Sequence, residues 1–330
     1  MGGEGFGHLS NPVTFAALEG PVGRFFLGRD LPDNTEGIAR LMVEAQRAFH
    51  AFGRSGPVQY ALSAIDIALW DLCAQEAGKP LWQLLGAPRR EIDVYASLVS
   101  YGNAPEQVSA HALRAYEQGF RTIKLHETAY QAIAAARRAL PADAKLMVDV
   151  NCPWTVEEAC RHARELRELE LAWLEEPVWP PDDSAGLAVV KACGTPVAAG
   201  ENAEGIEGFR QLFAAGAVSV AQPSVAKIGG ISAALEVYRI ARRYRVKVVP
   251  HCFYYGAALM ATAHLVATLP EDVALEVPYL QWPEPLYAEL DFQPRLRLTD
   301  TPGLGFRPGE DILRRYRIAH CTLSSEIPSC

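Results

Sequence analysis

From residue 91 onward the chain repeats one pattern: a short apolar run, a polar break, then a longer stretch with apolar positions at helical intervals. The short runs fall at 92–98, 122–126, 146–150, 172–176, 196–200, 219–223, 246–250 and 274–278. Most are continuously apolar, as parallel strands buried on both faces should be, where a half-exposed strand would alternate. The stretches between them, among them 105–118, 156–169 and 231–244, carry the helical spacing. Eight strand–helix units in about 190 residues predict an α/β fold of the TIM (β/α)-barrel type. A doubly wound sheet is the alternative. Such a sheet would bring a glycine-rich phosphate loop after its first strand, and Tyr101-Gly-Asn-Ala104 is not one.

Residues 1–90 lack this rhythm. After a glycine-rich start, they predict helices at 34–52 and 58–76 and a short helical turn at 80–85, with Gly86-Ala-Pro88 marking the passage to a new unit. Residues 281–294 read as an irregular loop, 295–298 as a short strand and 301–306 as a tight turn. The last twenty residues are expected to return to the N-terminal section. The expected organisation is therefore 1–90, 91–295 as the catalytic barrel, and 296–330.

Composition narrows the partners. Hydrophobic and charged fractions of 49% and 21% are those of an ordinary globular protein, and a net charge of −8 without any basic run argues against nucleic acid. No run of 18 apolar residues and no signal-peptide pattern is present, so a membrane partner is not expected and the expected compartment is the cytoplasm. The seven cysteines are odd in number and scattered without a CxxC pair, which predicts buried or free thiols. Cys252, beside His251, is expected to fill core space.

The chemistry lies where the apolar runs end. Asp149, Glu175 and Glu201 close three consecutive runs at an identical spacing of 26 residues. In a (β/α) barrel the C-terminal strand ends form the active-site rim, so the three carboxylates would converge there. Their mutual repulsion calls for a cation, and oxygen-only ligands favour a hard one, Mg²⁺ before Ca²⁺ or Mn²⁺. The other strand ends offer Lys124 with His126, Asn151, Glu176, Asn202, Ser224 with Lys227, His251, and Glu276. Taken singly, each has a plainer role as a capping acid, a snorkelling lysine or a satisfied histidine. Their placement at one rim is what argues for function. His264, on the helical stretch after the seventh run, reads as structural. Lys124 and His251 would approach the cation from opposite sides, an arrangement suited to removing a proton alpha to a carboxylate and holding the resulting enediolate.

These residues carry a resemblance to the enolase superfamily, specifically its mandelate racemase and muconate lactonising branch. It extends from Ser63-Ala-Ile-Asp-Ile-Ala-Leu-Trp-Asp71 through Lys79-Pro-Leu-Trp-Gln-Leu-Leu-Gly86 to Pro302-Gly-Leu-Gly305. The resemblance implies a modified TIM barrel with an α+β capping domain built from the N-terminal section and the C-terminal tail. It implies Asp149, Glu175 and Glu201 as Mg²⁺ ligands, with Lys124 and His251 as the acid–base pair. It further implies Glu276 as the acid that hydrogen-bonds a substrate carboxylate, Asn202 near the metal, and a homo-oligomer. The sequence departs from the family pattern in three places. His126 stands at the second position of a Lys-x-Lys motif. Ser224 replaces the strand 6 aspartate that orients the strand 7 histidine, so His251 should have a lower pKa than in relatives. Lys227 matches a second-base position of the muconate lactonising group, and does not choose between mechanisms. The first strands of the cap are expected to be missing ahead of Gly3-Glu-Gly5, which leaves the cap truncated. The implied substrate is a small carboxylic acid. Dehydration of a sugar acid is favoured, ahead of racemisation or epimerisation and then cycloisomerisation. A non-catalytic relative that only binds metal or carboxylate is the rival from another class.

Overall fold

The computed structural model describes residues 11–280 and 293–324. The glycine-rich start and most of the loop expected at 281–294 lie outside the described residues. Eight parallel strands follow one another as β1 (Glu91–Ser97), β2 (Thr122–Leu125), β3 (Lys145–Asp149), β4 (Trp173–Glu175), β5 (Val197–Ala199), β6 (Val220–Ala221), β7 (Lys247–Val248) and β8 (Leu275–Pro278). Their order in the sheet is β7-β6-β5-β4-β3-β2-β1-β8. The order never reverses and brings β8 back beside β1, as in a sheet rolled into a barrel, whereas a doubly wound sheet reverses at a switch point. The α/β architecture is that of a modified TIM barrel with a capping section.

Two strands are shorter than their apolar runs. β6 and β7 hold two residues each in the ladder, against five in the runs at 219–223 and 246–250. Pairing continues beyond them through single backbone bonds, Gln222 N to Ala199 O at 3.0 Å and Val249 N to Ala221 O at 3.0 Å. Among the described residues no ladder joins β7 to β8. Side chains bridge that seam: the Cys252 amide donates to Glu276 Oε2 at 2.7 Å and the Tyr255 hydroxyl to Pro278 O at 3.1 Å.

Register decides which side chains meet. Ser97 is opposite Lys124, Lys124 opposite Met147, Asp149 opposite Glu175, and Tyr95 opposite Glu276. Residues two apart on a strand share a face. Glu276, Tyr95, Ser97, Lys124, Met147, Asp149 and Glu175 therefore all share one face of the sheet. All seven are buried.

The helix Pro57–Glu76 is apolar around most of its circumference and packs between the helices Thr35–Ala48 and Gly230–Tyr244. Its few polar residues make the joins. Ser63 Oγ accepts the Gly229 amide at 2.9 Å, Asp66 Oδ1 accepts the Ser232 amide at 3.1 Å, and Trp70 Nε1 donates to Ser232 Oγ at 2.9 Å. Gly230 has φ +82°, and a Cβ there would fall 2.1 Å from Asp66 Oδ1, so only glycine fits this approach. The C-terminal segment adds β9 (Arg295–Arg297), antiparallel to the start of β1. It then meets the helix Pro57–Glu76 again, where Leu304 N donates to Asp71 Oδ1 at 2.7 Å. No helix of the described residues is long and apolar enough to cross a membrane.

Candidate active site

Lys124 stands at the centre of the shared face, fully buried. Its Nζ lies 2.7 Å from Glu276 Oε1, 2.8 Å from Glu175 Oε1 and 3.4 Å from Asp149 Oδ2. Burial alone would drive the ammonium to lose its proton, but the three carboxylates outweigh it and hold its pKa well above the usual lysine value. Glu175 is pushed up to about 7, mainly by burial and against the pull of Lys124. Trp173 Nε1 donates to its other oxygen at 2.9 Å. Burial also opposes the charge of Asp149 and Glu276, yet Lys124 and the neighbouring histidines keep both below the ordinary carboxylate range.

Oxygens of Asp149, Glu175 and Glu201 all lie within 4.8 Å of one another. Three converging carboxylates, two buried and Glu201 half-buried, with only oxygen to offer form a donor set for a hard divalent cation. Their neighbours hold them in place. Asn151 donates to Asp149 Oδ1 from its amide at 2.9 Å and from Nδ2 at 2.7 Å. Lys227 Nζ reaches Glu201 Oε1 at 3.4 Å and Asn202 Oδ1 at 2.8 Å, and Asn202 Nδ2 donates to Glu176 Oε2 at 2.6 Å.

His251 comes from the opposite side, with Nε2 2.8 Å from Glu201 Oε2. Two opposing effects act on its pKa. Burial does pull it down, but the Glu201 carboxylate attracts the proton more strongly and leaves it above the usual histidine value. The missing negative charge is supplied by a metal-cluster acid, and a cation bound by Glu201 would cancel that attraction. Ser224 Oγ lies 3.5 Å from the Tyr254 hydroxyl, which in turn donates to His251 O at 3.2 Å. His126 bonds Leu98 O through Nδ1 and faces Asp149 Oδ2 at 3.3 Å through Nε2, with Phe253 edge-on to its ring. His264 is buried against Leu304 O at 3.0 Å and pushed down to about 4 by burial, so it is a neutral structural group.

A cavity of about 440 Å³ opens over this cluster, bounded by His126, Asp149, Asn151, Glu201 and His251 on the polar side. The other walls are Val99, Ser100, Thr128, Val150 and Phe253. A second cavity of about 460 Å³ shares Asn151 and Glu201 and holds Lys227, Asn202, Glu176 and Cys152. Lys124 and Glu276 are fully buried and line neither cavity, while Lys227 and Asn202 belong to the second. The walls Ser100, Thr128 and Phe253 were not expected from the sequence. They follow the ends of the apolar runs 92–98, 122–126 and 246–250 by two or three residues, just beyond the positions that strand-end reasoning reaches.

A reciprocal lock fixes two of these walls. Glu127, after β2, accepts the amides of Tyr101 at 2.5 Å and Asn103 at 2.6 Å in the loop after β1. Asn103 returns the contact: its Oδ1 accepts the amides of Thr128 and Ala129, each at 2.8 Å. Neither residue stood out in the sequence, because their roles are bonds to a neighbouring loop.

Comparison with known proteins agrees with this geometry. Residues 107–312 match the family model described as enolase C-terminal domain-like. Residues 16–86 match the mandelate racemase/muconate lactonizing enzyme N-terminal domain. The L-talarate/galactarate dehydratase of Salmonella typhimurium is 32% identical over 91% of this chain and 77% of that protein. The 3,6-anhydro-alpha-L-galactonate cycloisomerase of Streptomyces coelicolor is 31% identical over 79% of this chain and 73% of that protein. A racemase from Streptomyces coelicolor A3(2), solved with bound magnesium, superposes with a TM-score of 0.82 at 29% identity, covering 93% of this chain and 85% of that one. With both family domains matched and a rim of carboxylates, lysine and histidine in place, the chain belongs to the mandelate racemase/muconate lactonizing enzyme family of the enolase superfamily.

Proposed function

We propose that the chain is a Mg²⁺-dependent enzyme that abstracts the proton alpha to the carboxylate of a small sugar acid or hydroxy acid and dehydrates it through an enediolate. One observation carries this reading: Lys124 and His251 flank the Asp149–Glu175–Glu201 cluster from opposite sides, bonded to Glu175 and Glu201 respectively. Relatives named as a dehydratase and a cycloisomerase, and a racemase holding magnesium, support it. A divalent cation held by the three acids would polarise the substrate carboxylate, spread the developing charge and offset the carboxylate field around Lys124. Lys124 Nζ takes the alpha proton on one face. His251 Nε2 delivers a proton to the departing beta-hydroxyl on the other. Glu276 hydrogen-bonds the substrate carboxylate. Asn151, Asn202 and Lys227 keep the metal acids aimed, His126 lines the mouth, and Ser224 supports the His251 loop through Tyr254. The working form is a homo-oligomer.

The same two-sided geometry would serve racemisation or epimerisation, and product analysis separates them. Acid sugars are incubated with the Mg²⁺-loaded protein in D₂O. The expected result is a 2-oxo-3-deoxy product that carries deuterium at C3, with deuterium at the alpha carbon only in recovered acid. Inversion without loss of water would shift the assignment to a racemase or epimerase. Metal binding with neither exchange nor product from any acid would overturn the reading in favour of a non-catalytic relative.

A further inference from the structure

Apart from His126, Asp149, Asn151, Glu201 and His251, the main cavity is lined by Val99, Ser100, Thr128, Val150 and Phe253, two hydroxyls among apolar side chains. Resting on the proposed function, we infer that the enzyme selects monocarboxylic hydroxy acids whose far end is uncharged, and discriminates against dicarboxylic ones. A second carboxylate taken out of water needs a cation or several donors in fixed positions, and leaving it unpaired costs far more than one hydrogen bond restores. No lysine or arginine lines this cavity among the described residues. Nor do residues 1–10, 281–292 or 325–330 contain one.

The two nearest ammonium groups are already committed. Lys124 is buried beneath the cluster among three carboxylates. Lys227 opens on the neighbouring cavity, where it pairs with Glu201 and shares the space with Glu176, Asp182 and Glu204. A second carboxylate entering there would meet more negative charge than positive. The hydroxyl-bearing wall is, by contrast, fixed for neutral ligands. Glu127 and Asn103 lock the two loops that carry Ser100 and Thr128, so both hydroxyls are held in position before a ligand arrives. The Phe253 ring and the two valines offer contact to the C–H edges of a polyol chain, and the cavity size suits a small ligand.

The test measures binding as well as turnover. Hydroxamate mimics of the enediolate, one from an aldonic acid and one from the matching aldaric diacid, are titrated calorimetrically into the Mg²⁺-loaded protein. The aldonic mimic is expected to bind at least tenfold more tightly. Wild-type kcat/KM should show the same order for the acids themselves. In Ser100→Arg, which adds a cation to the wall, the ratio should move toward the diacid by about tenfold. Equal or tighter binding of the diacid mimic by the wild type would overturn the inference while leaving the dehydratase reading intact. Failure of both mimics to bind in the presence of metal would sink the two together, because neither would then have an active site to describe.

Discussion

Lys124 and His251 are separated by 127 positions yet serve one cluster, and that division of labour sets what each substitution should do. If Lys124 takes the alpha proton and His251 assists the leaving hydroxyl, then Lys124→Ala removes deuterium exchange and dehydration together. His251→Asn should lower dehydration by about 10²–10⁴-fold while exchange from the Lys124 face persists. Comparing isotope incorporation with product formation checks this, and equal loss of both signals in His251→Asn would refute the division. The candidate site was largely legible at this scale because a barrel exposes its strand ends, and a charged residue ending an apolar run betrays itself. What could not be read was electrostatic. The sequence showed Ser224 where an aspartate was expected and so argued for a His251 pKa lower than in relatives. Only the fold reveals that Glu201, 50 residues away in the chain, supplies the missing negative charge. The Glu127–Asn103 lock was equally invisible, since side-chain bonds to another loop leave no periodic trace.

Elements tell a similar story with a different weak point. Continuous apolar runs predicted all eight parallel strands, because burial on both faces leaves no room for polar alternation. The two-residue ladders of β6 and β7 were not legible, since apolar residues continue past the point where regular pairing stops. The contact between the helix Pro57–Glu76 and the helix Gly230–Tyr244 hides a titratable group. Burial lifts the Asp66 carboxyl to about 7, against the bonds from Ser232 and Ile231 that pull it down. The unfolded carboxyl titrates near 3.8. Between about pH 4 and 7 the folded protein therefore keeps a proton that the unfolded chain has lost, so stability falls as pH rises through this window. At 1.36 kcal/mol per unit the loss is on the order of 4 kcal/mol for a fully buried group. Asp66→Asn, neutral throughout, should lose less stability than the wild type between pH 5 and 8. Urea unfolding at both values measures it, and parallel losses would contradict the assignment.

For the molecule as a whole, the clustered acids link metal binding to folding. Three carboxylates crowded in the folded state are separated in the unfolded chain, so a cation that binds only the former stabilises it by mass action. At a hundredfold excess over its Kd, Mg²⁺ should add about 2.7 kcal/mol and raise the thermal midpoint by several degrees. Glu201→Gln should abolish both Mg²⁺ binding and that rise. An unchanged Mg²⁺ affinity in this variant, followed by calorimetry, would remove Glu201 from the ligand set.

The seam between β7 and β8 carries a consequence of another kind. Where the other strands are stitched by backbone, this joint is fastened by the Glu276 carboxylate, one oxygen on the Cys252 amide and the other against Lys124. The same side chain is thus a rivet of the barrel wall and a part of the reaction centre. Natural drift in what this scaffold catalyses is therefore barred from Glu276, where any change also loosens the last stave. It is channelled to rim positions such as Ser100 and Phe253, whose side chains take no part in that joint.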